Sequence, residues 1–383
     1  MPRTFSSPFQ KAQINTRQLC FFAAFLLPAS KLLEAPSLLA KFAASDLLLP
    51  AFFHFLLQTV MIITLFYVMS RSERSLLERL RERLGKAIIV LYVLYAAYFI
   101  FAVLLPIFDF EKFVYAAFFD TAPTMFAFTA FFFFAAFVCV KGIKAIGRSA
   151  DLCLFLFLLP FLALLGMSIF QTDFTSLLPL FGTKFGDTMY AFTYTTPHFS
   201  DAILLLPLLL NKRYEKGDGV KVTLSYWIGA ALSLLFFAVF FGLFSSIAQR
   251  EHYAFSKIAQ YFPALSVTGR IDLLFVYALS IVLLFYTCLP LQYATYCILQ
   301  TVKTDKSTLI VAVINAVLFL FILNFNRYYN NFYAFISGKL FWIFWLFADI
   351  LPLFLLLLPA EKTKPSQPKI SPVKTKQQEN PHA

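Results

Sequence analysis

Charged residues are scarce in this chain: Asp, Glu, Lys and Arg together make up 14% of 383 residues, while 60% are hydrophobic. An ordinary soluble domain carries about 25% charged residues, so a soluble globular fold is excluded. Glycine is sparse, at 12 residues. No phosphate-binding Gly-rich loop, HExxH or GxSxG motif occurs, and neither an enzyme nor a cofactor is expected. The four histidines (His54, His198, His252, His382) are too scattered to propose a metal site. The five cysteines (Cys20, Cys139, Cys153, Cys288, Cys297) lack CxxC spacing and read as packing thiols. The segment Met1-Pro-Arg-Thr-Phe5 lacks an apolar core followed by a small-residue cleavage site, so no cleaved signal peptide is expected.

What the chain has instead is hydrophobic length. Apolar stretches able to cross a bilayer recur at about 19–45, 47–69, 87–108, 120–140, 149–170, 188–210, 222–246, 271–299, 306–325 and 338–359. These predict an all-α integral membrane protein of ten transmembrane helices. With ten spans, 23 of the 32 Lys and Arg residues fall on one side and eight on the other, with Lys31 inside the membrane. The positive-inside rule then places both termini in the cytoplasm. The net charge of +12 follows from that topology and from contact with the lipid bilayer, so no nucleic-acid partner is expected. Arg71 to Lys86 reads as a short amphipathic helix joining spans two and three. The expected division is a cytoplasmic segment over 1–18, a membrane domain over 19–359 and a disordered basic tail over 360–383. The 51 phenylalanines, including Phe131 to Phe134, read as lipid-facing bulk, and Tyr92, Tyr95 and Tyr98 as a helix-packing stripe.

Against this background two motifs stand out. Lys31-Leu-Leu-Glu34 lies in the first span between Pro28 and Pro36, with the small residues Ala29 and Ser30 beside it. His198-Phe-Ser-Asp201 lies in the sixth span after Pro197 and the hydroxyls of Thr193, Thr195 and Thr196. Each pairs a base with an acid three positions on, so both side chains leave one helix face. Lys31 to His198 and Glu34 to Asp201 are both 167 residues apart, five spans on. Proline in a helix interior removes a hydrogen bond and invites unwinding, and ionisable groups at bilayer depth mark functional sites. The pattern predicts a fold of two inverted five-helix repeats, placed at about 19–170 and 188–325 with spans nine and ten completing the bundle, and with helices 1 and 6 broken near 28–31 and 195–198. Tyr286-Thr287-Cys288-Leu289-Pro290 in span eight is a further polar step able to complete a pocket wall. Two readings stay open: the charge pairs neutralise themselves inside the bundle, or the four groups form one coupled cluster that takes a zwitterionic ligand. His54 and Asp349 are isolated, and Arg270 with Asp272 reads as an interfacial pair.

Four strings in order along the chain resemble the spore germination permeases, the B subunits of endospore germinant receptors. They are Pro36-Ser-Leu-Leu-Ala-Lys-Phe-Ala-Ala-Ser-Asp46, Lys144-Ala-Ile-Gly-Arg-Ser-Ala-Asp151, Asp201-Ala-Ile-Leu-Leu-Leu-Pro207 and Tyr261-Phe-Pro-Ala-Leu-Ser-Val-Thr-Gly-Arg-Ile-Asp272. The resemblance implies a LeuT-like fold of the amino acid–polyamine–organocation superfamily. It also implies residence in the spore inner membrane, assembly with A-type and C-type receptor subunits, and a central pocket sensing a small germinant, often an amino acid. Release of ions would follow as the first step of germination. The chain departs from the family pattern with Pro28-Ala29-Ser30-Lys31 for a Gly-Ser step, Leu47 for an aromatic, Tyr277 for a tryptophan, and Ser200-Asp201 for glycine and glutamate. A proton-coupled amino-acid or amine transporter is the other reading, with Glu34 or Asp201 exchanging the proton.

Overall fold

The computed structural model describes residues 14–118, 124–210, 212–261, 272–302, 304, 306–325 and 328–358, and among them every regular element is helical. Arg270, the chain before residue 14 and the tail from 359 lie outside the described residues, as does the side chain of Asp272. The principal helices are α1 (Thr16–Phe21), α2 (Ala35–Ala43), α3 (Leu48–Ser70), α4 (Leu76–Leu84), α5 (Ile88–Phe118), α6 (Thr124–Lys141), α7 (Ile143–Ile169), α8 (Phe185–Thr195), α9 (Ala202–Leu210), α10 (Asp218–Phe244), α11 (Ala254–Tyr261), α12 (Asp272–Val302), α13 (Ser307–Phe325), α14 (Tyr329–Lys339) and α15 (Phe341–Phe344). Among the described residues five helices are long and apolar enough to cross a membrane, or seven if two bent pairs each count as one span.

One bent pair is the first span, whose halves meet at 62°. The expected break at 28–31 moves to Leu33 and Glu34. A π-type turn over Phe22–Leu26 absorbs the missing donor of Pro28, and Ala29 and Ser30 keep right-handed helical dihedrals. The chain leaves helix at Leu33 (φ −87°, ψ −89°), and Pro36 sits in the first turn of α2, where its absent N–H costs nothing. Gly229 on α10 permits the close approach to this π turn: a Cβ there would collide with the Ala24 carbonyl and the Pro28 ring. In the sixth span α8 stops at Thr195, a 3₁₀ turn covers Thr196–His198, and α9 restarts at Ala202 after three non-helical residues. The second bent pair, Asn330–Lys339 with Phe341–Leu357 at 57°, carries a break that the hydrophobic pattern did not announce.

The helix expected over 71–86 forms as α4. Ser75 accepts the Glu78 N–H at its start and the Glu78 carboxylate accepts the Ser75 N–H in return. The tyrosine stripe of α5 packs as expected: Tyr92 meets Tyr296 of α12 at 6.3 Å, and Tyr98 stacks on Phe347 at 5.0 Å. The phenylalanine run divides, with Phe131 and Phe132 buried and Phe133 and Phe134 exposed to the surroundings of the bundle.

Candidate functional site

The two breaks face each other and are joined by one ion pair. Lys31 Nζ lies 2.6 Å from Asp201 Oδ1, and both side chains are wholly buried. Nζ also donates to the Leu27 carbonyl at 2.8 Å and stands 5.4 Å from the centre of the Phe199 ring. The second carboxylate oxygen of Asp201 accepts from the Tyr226 hydroxyl at 2.8 Å. A buried ion pair offsets its own desolvation only when its other donors and acceptors are met, and here both Asp201 oxygens and two of the three Lys31 N–H groups have partners.

Around this pair the freed backbone groups of the sixth span find side-chain partners. Gln58 accepts the Ala202 N–H at 2.9 Å, capping α9, and donates to Asp349 at 2.9 Å. His54 Nε2 donates to the Phe192 carbonyl at 2.8 Å, and its ring stacks between Phe192 and Phe199 at 4.0 and 4.4 Å. Trp345 Nε1 donates to Thr196 Oγ1 at 3.2 Å. The hydroxyls of Thr193, Thr195 and Thr196 return to carbonyls of their own helix, at Tyr190, Ala191 and Phe192.

The other candidates divide between this centre and its flank. Pro28 and Ala29 are buried in the first span, and Ser30 donates to the Leu27 carbonyl while facing the Tyr286 hydroxyl. Thr287, one residue on, back-bonds to Leu284. The expected four-group cluster is not one cluster. Glu34 does not pair with Lys31: it accepts from His252 Nδ1 at 3.2 Å, and His252 lies beyond the seventh span with its side chain 65% exposed. That hydrogen bond, followed by attraction to the Glu34 charge, raises the His252 pKa against the opposing effect of partial burial. His198 bonds Tyr333 through Nε2, with Asp109 Oδ2 4.0 Å from Nδ1. The sum is one central pair, Lys31 with Asp201, and two separate flanking pairs. The break geometry explains the split, because leaving helix at Leu33 removes the i,i+3 relation between Lys31 and Glu34.

Sequence reasoning set aside His54 and Asp349 and missed Gln58, Tyr226, Trp345 and His252. A glutamine and an aspartate inside apolar helices were a usable signal, since each needs a partner there. Tyr226 and Trp345 carried none, being ordinary in aromatic-rich spans. Among the described residues no group of three or more His, Cys, Asp or Glu is placed to hold a metal ion.

In secondary transporters, substrate sites lie near the bilayer midplane where membrane helices are interrupted. The family described as spore germination protein matches residues 13–330. The chain belongs to the spore germination permease family. A solved structure similar to this permease is a point mutant of the Eremococcus coleocola manganese transporter, with TM-score 0.57, 12% identity, and 90% of this chain and 81% of that chain covered. The same transporter bound to an aromatic bis-isothiourea substituted compound aligns at TM-score 0.46 and 14% identity, covering 91% and 82%, and carries no weight at that score. The first likeness establishes a transporter-type helical fold and nothing of substrate. No curated protein matches the chain.

Proposed function

We propose that this permease-family protein is the membrane subunit of a spore germinant receptor that senses a small amino acid between its two broken helices. The observation that carries this reading is the Lys31–Asp201 pair, wholly buried and bridging both interruptions. An amino acid's ammonium and carboxylate offer each member a replacement partner, so a ligand can enter by exchanging with an internal bond. Such a ligand binds one arrangement of the two helices better than the other and shifts the population accordingly. In this reading the ten spans form a 5+5 inverted repeat with both termini cytoplasmic. The protein lies in the spore inner membrane beside A-type and C-type subunits, and ion release follows sensing. Lys31→Met with Asp201→Leu removes both charges at once and leaves no buried ion unpaired. Spores carrying this double variant should contain normal amounts of the subunit and lose their germinant response. A wild-type dose–response from those spores would falsify the reading.

A second reading, a proton-coupled amino-acid or amine transporter, is favoured by the transporter-type fold over 90% of the chain. Uptake of labelled amino acid by the protein in proteoliposomes, abolished by the same double variant, would select it.

A further inference from the structure

A cavity lies away from the charged centre, at the end of the bundle that carries α4. It encloses about 320 Å³, near the lower bound of pockets that hold organic ligands. Its walls include Leu80, Tyr92, Pro207, Tyr296 and Leu351, and Arg83 stands among them as the charged residue. Apart from Arg83 and the tyrosine hydroxyls its lining is apolar, and such a cavity does not hold water well. Phe354 and Leu357, 58% and 67% exposed, border it and face the surroundings of the bundle.

The charges of α4 are mostly committed. Arg74 pairs with Glu82 at 2.7 Å, Glu78 caps the helix, Arg79 donates to the Val68 carbonyl and Arg81 to Gln300. Arg83, exposed at the cavity, has no ion pair among the described residues, and neither does the exposed Lys86 just past the end of α4. A free guanidinium over an apolar slot that opens toward lipid matches an anionic head group with an acyl chain below it.

We propose that this cavity takes one acyl chain of an anionic phospholipid, its phosphate held by Arg83 and Lys86. The chain then abuts Leu206 and Pro207 of α9, the helix that begins beside Asp201. Lipid occupancy therefore props the second half of the sixth span and regulates its movement. The proposal rests on the bundle lying in a bilayer and not on the germinant reading, so the two fail separately.

The test uses the full chain in nanodiscs with phosphatidylglycerol bearing a diazirine in its acyl chain. Photolabelling should concentrate on peptides spanning 76–99, 206–210, 293–297 and 351–358. An excess of unlabelled phosphatidylglycerol should compete at least fivefold better than phosphatidylcholine. Leu80→Trp, which fills the cavity, should abolish that focus, and Arg83→Glu should erase the head-group preference while labelling persists. Labelling spread evenly over lipid-exposed helices such as α3 overturns the site. Equal competition by both lipids overturns the role of Arg83 and Lys86. Competition by free inorganic phosphate alone, without change by either lipid, overturns the acyl-chain assignment.

Discussion

The two breaks are satisfied in different ways. In the first span the freed groups are met mostly from nearby in the chain: Ser30 and Lys31 both donate to the Leu27 carbonyl, and Ser37 donates to that of Glu34. One long-range backbone bond completes it, from Ala254 N–H to the Leu33 carbonyl at 3.0 Å. In the sixth span the hydroxyls of Thr195, Thr196 and Ser200 also bond locally, but other helices add partners. His54 and Gln58 on α3 meet backbone groups, and Trp345 beyond α15 and Tyr226 on α10 meet the side chains of Thr196 and Asp201. The backbone of the first break is met mostly within its own turn, with α11 adding one bond, whereas the sixth draws more on side chains of neighbouring helices. Movement of α3 or of the last span therefore acts on the sixth break, while the first responds through α11 and through Lys31.

The largest effect should come from Lys31→Met, which strips both breaks of their shared bond and leaves Asp201 buried and uncompensated. Such a loss costs about 3–5 kcal/mol. Thermal unfolding of the purified protein in detergent should show it, and adding Asp201→Leu should recover most of it. Failure of the second substitution to rescue would mean that the ion pair is not what joins the breaks.

Gly229→Ala should strike the first break alone, at about 3 kcal/mol, because the new methyl meets the backbone of the π turn. Faster hydrogen–deuterium exchange is expected in residues 22–35, with 199–204 unchanged. Gln58→Leu is the mirror case: the Ala202 N–H and Asp349 each lose a partner, at about 2 kcal/mol in total. Exchange should rise over 199–204 and stay constant over 22–35. Equal changes in both segments from either variant would show that the two breaks yield together.

The smallest effect is expected at His252. Its pKa is raised in the folded protein by the hydrogen bond with Glu34. The bond therefore contributes fully below the ordinary histidine value of about 6.5 and is lost as pH rises through the raised folded value. Exposure of the side chain limits the contribution to about 1 kcal/mol or less. A wild-type melting temperature that exceeds that of His252→Gln at pH 6, with the difference vanishing by pH 9, is the expected outcome. A difference independent of pH would assign the contact to packing.

Much of the site was legible because proline and charge are conspicuous in an apolar sequence. Pro28, Lys31, Pro197 and Asp201 could be singled out one helix at a time, since each violates the demands of a bilayer-crossing helix. The pairing was less legible. An i,i+3 relation between Lys31 and Glu34 holds only while the helix continues, and the interruption at Leu33 turns Glu34 toward His252 instead. The π turn that moved the break depends on the close approach of Gly229, 201 positions after Pro28 in the chain. No local pattern records that contact.

The sequence by itself determined the helical membrane class and, to within about a turn, where the first and sixth helices had to yield. Both follow from short-range physics: apolar segments of bilayer length must satisfy their backbone internally, and proline cannot. It also marked which charges would lie deep in the bundle. Only the tertiary structure decided that Lys31 meets Asp201, that Gln58 caps α9, and that α4 leaves Arg83 beside an apolar cavity. These are relations between helices far apart in the chain. They are selected by which packing arrangement leaves fewest buried polar groups unmet, a property of the whole bundle and of no single segment.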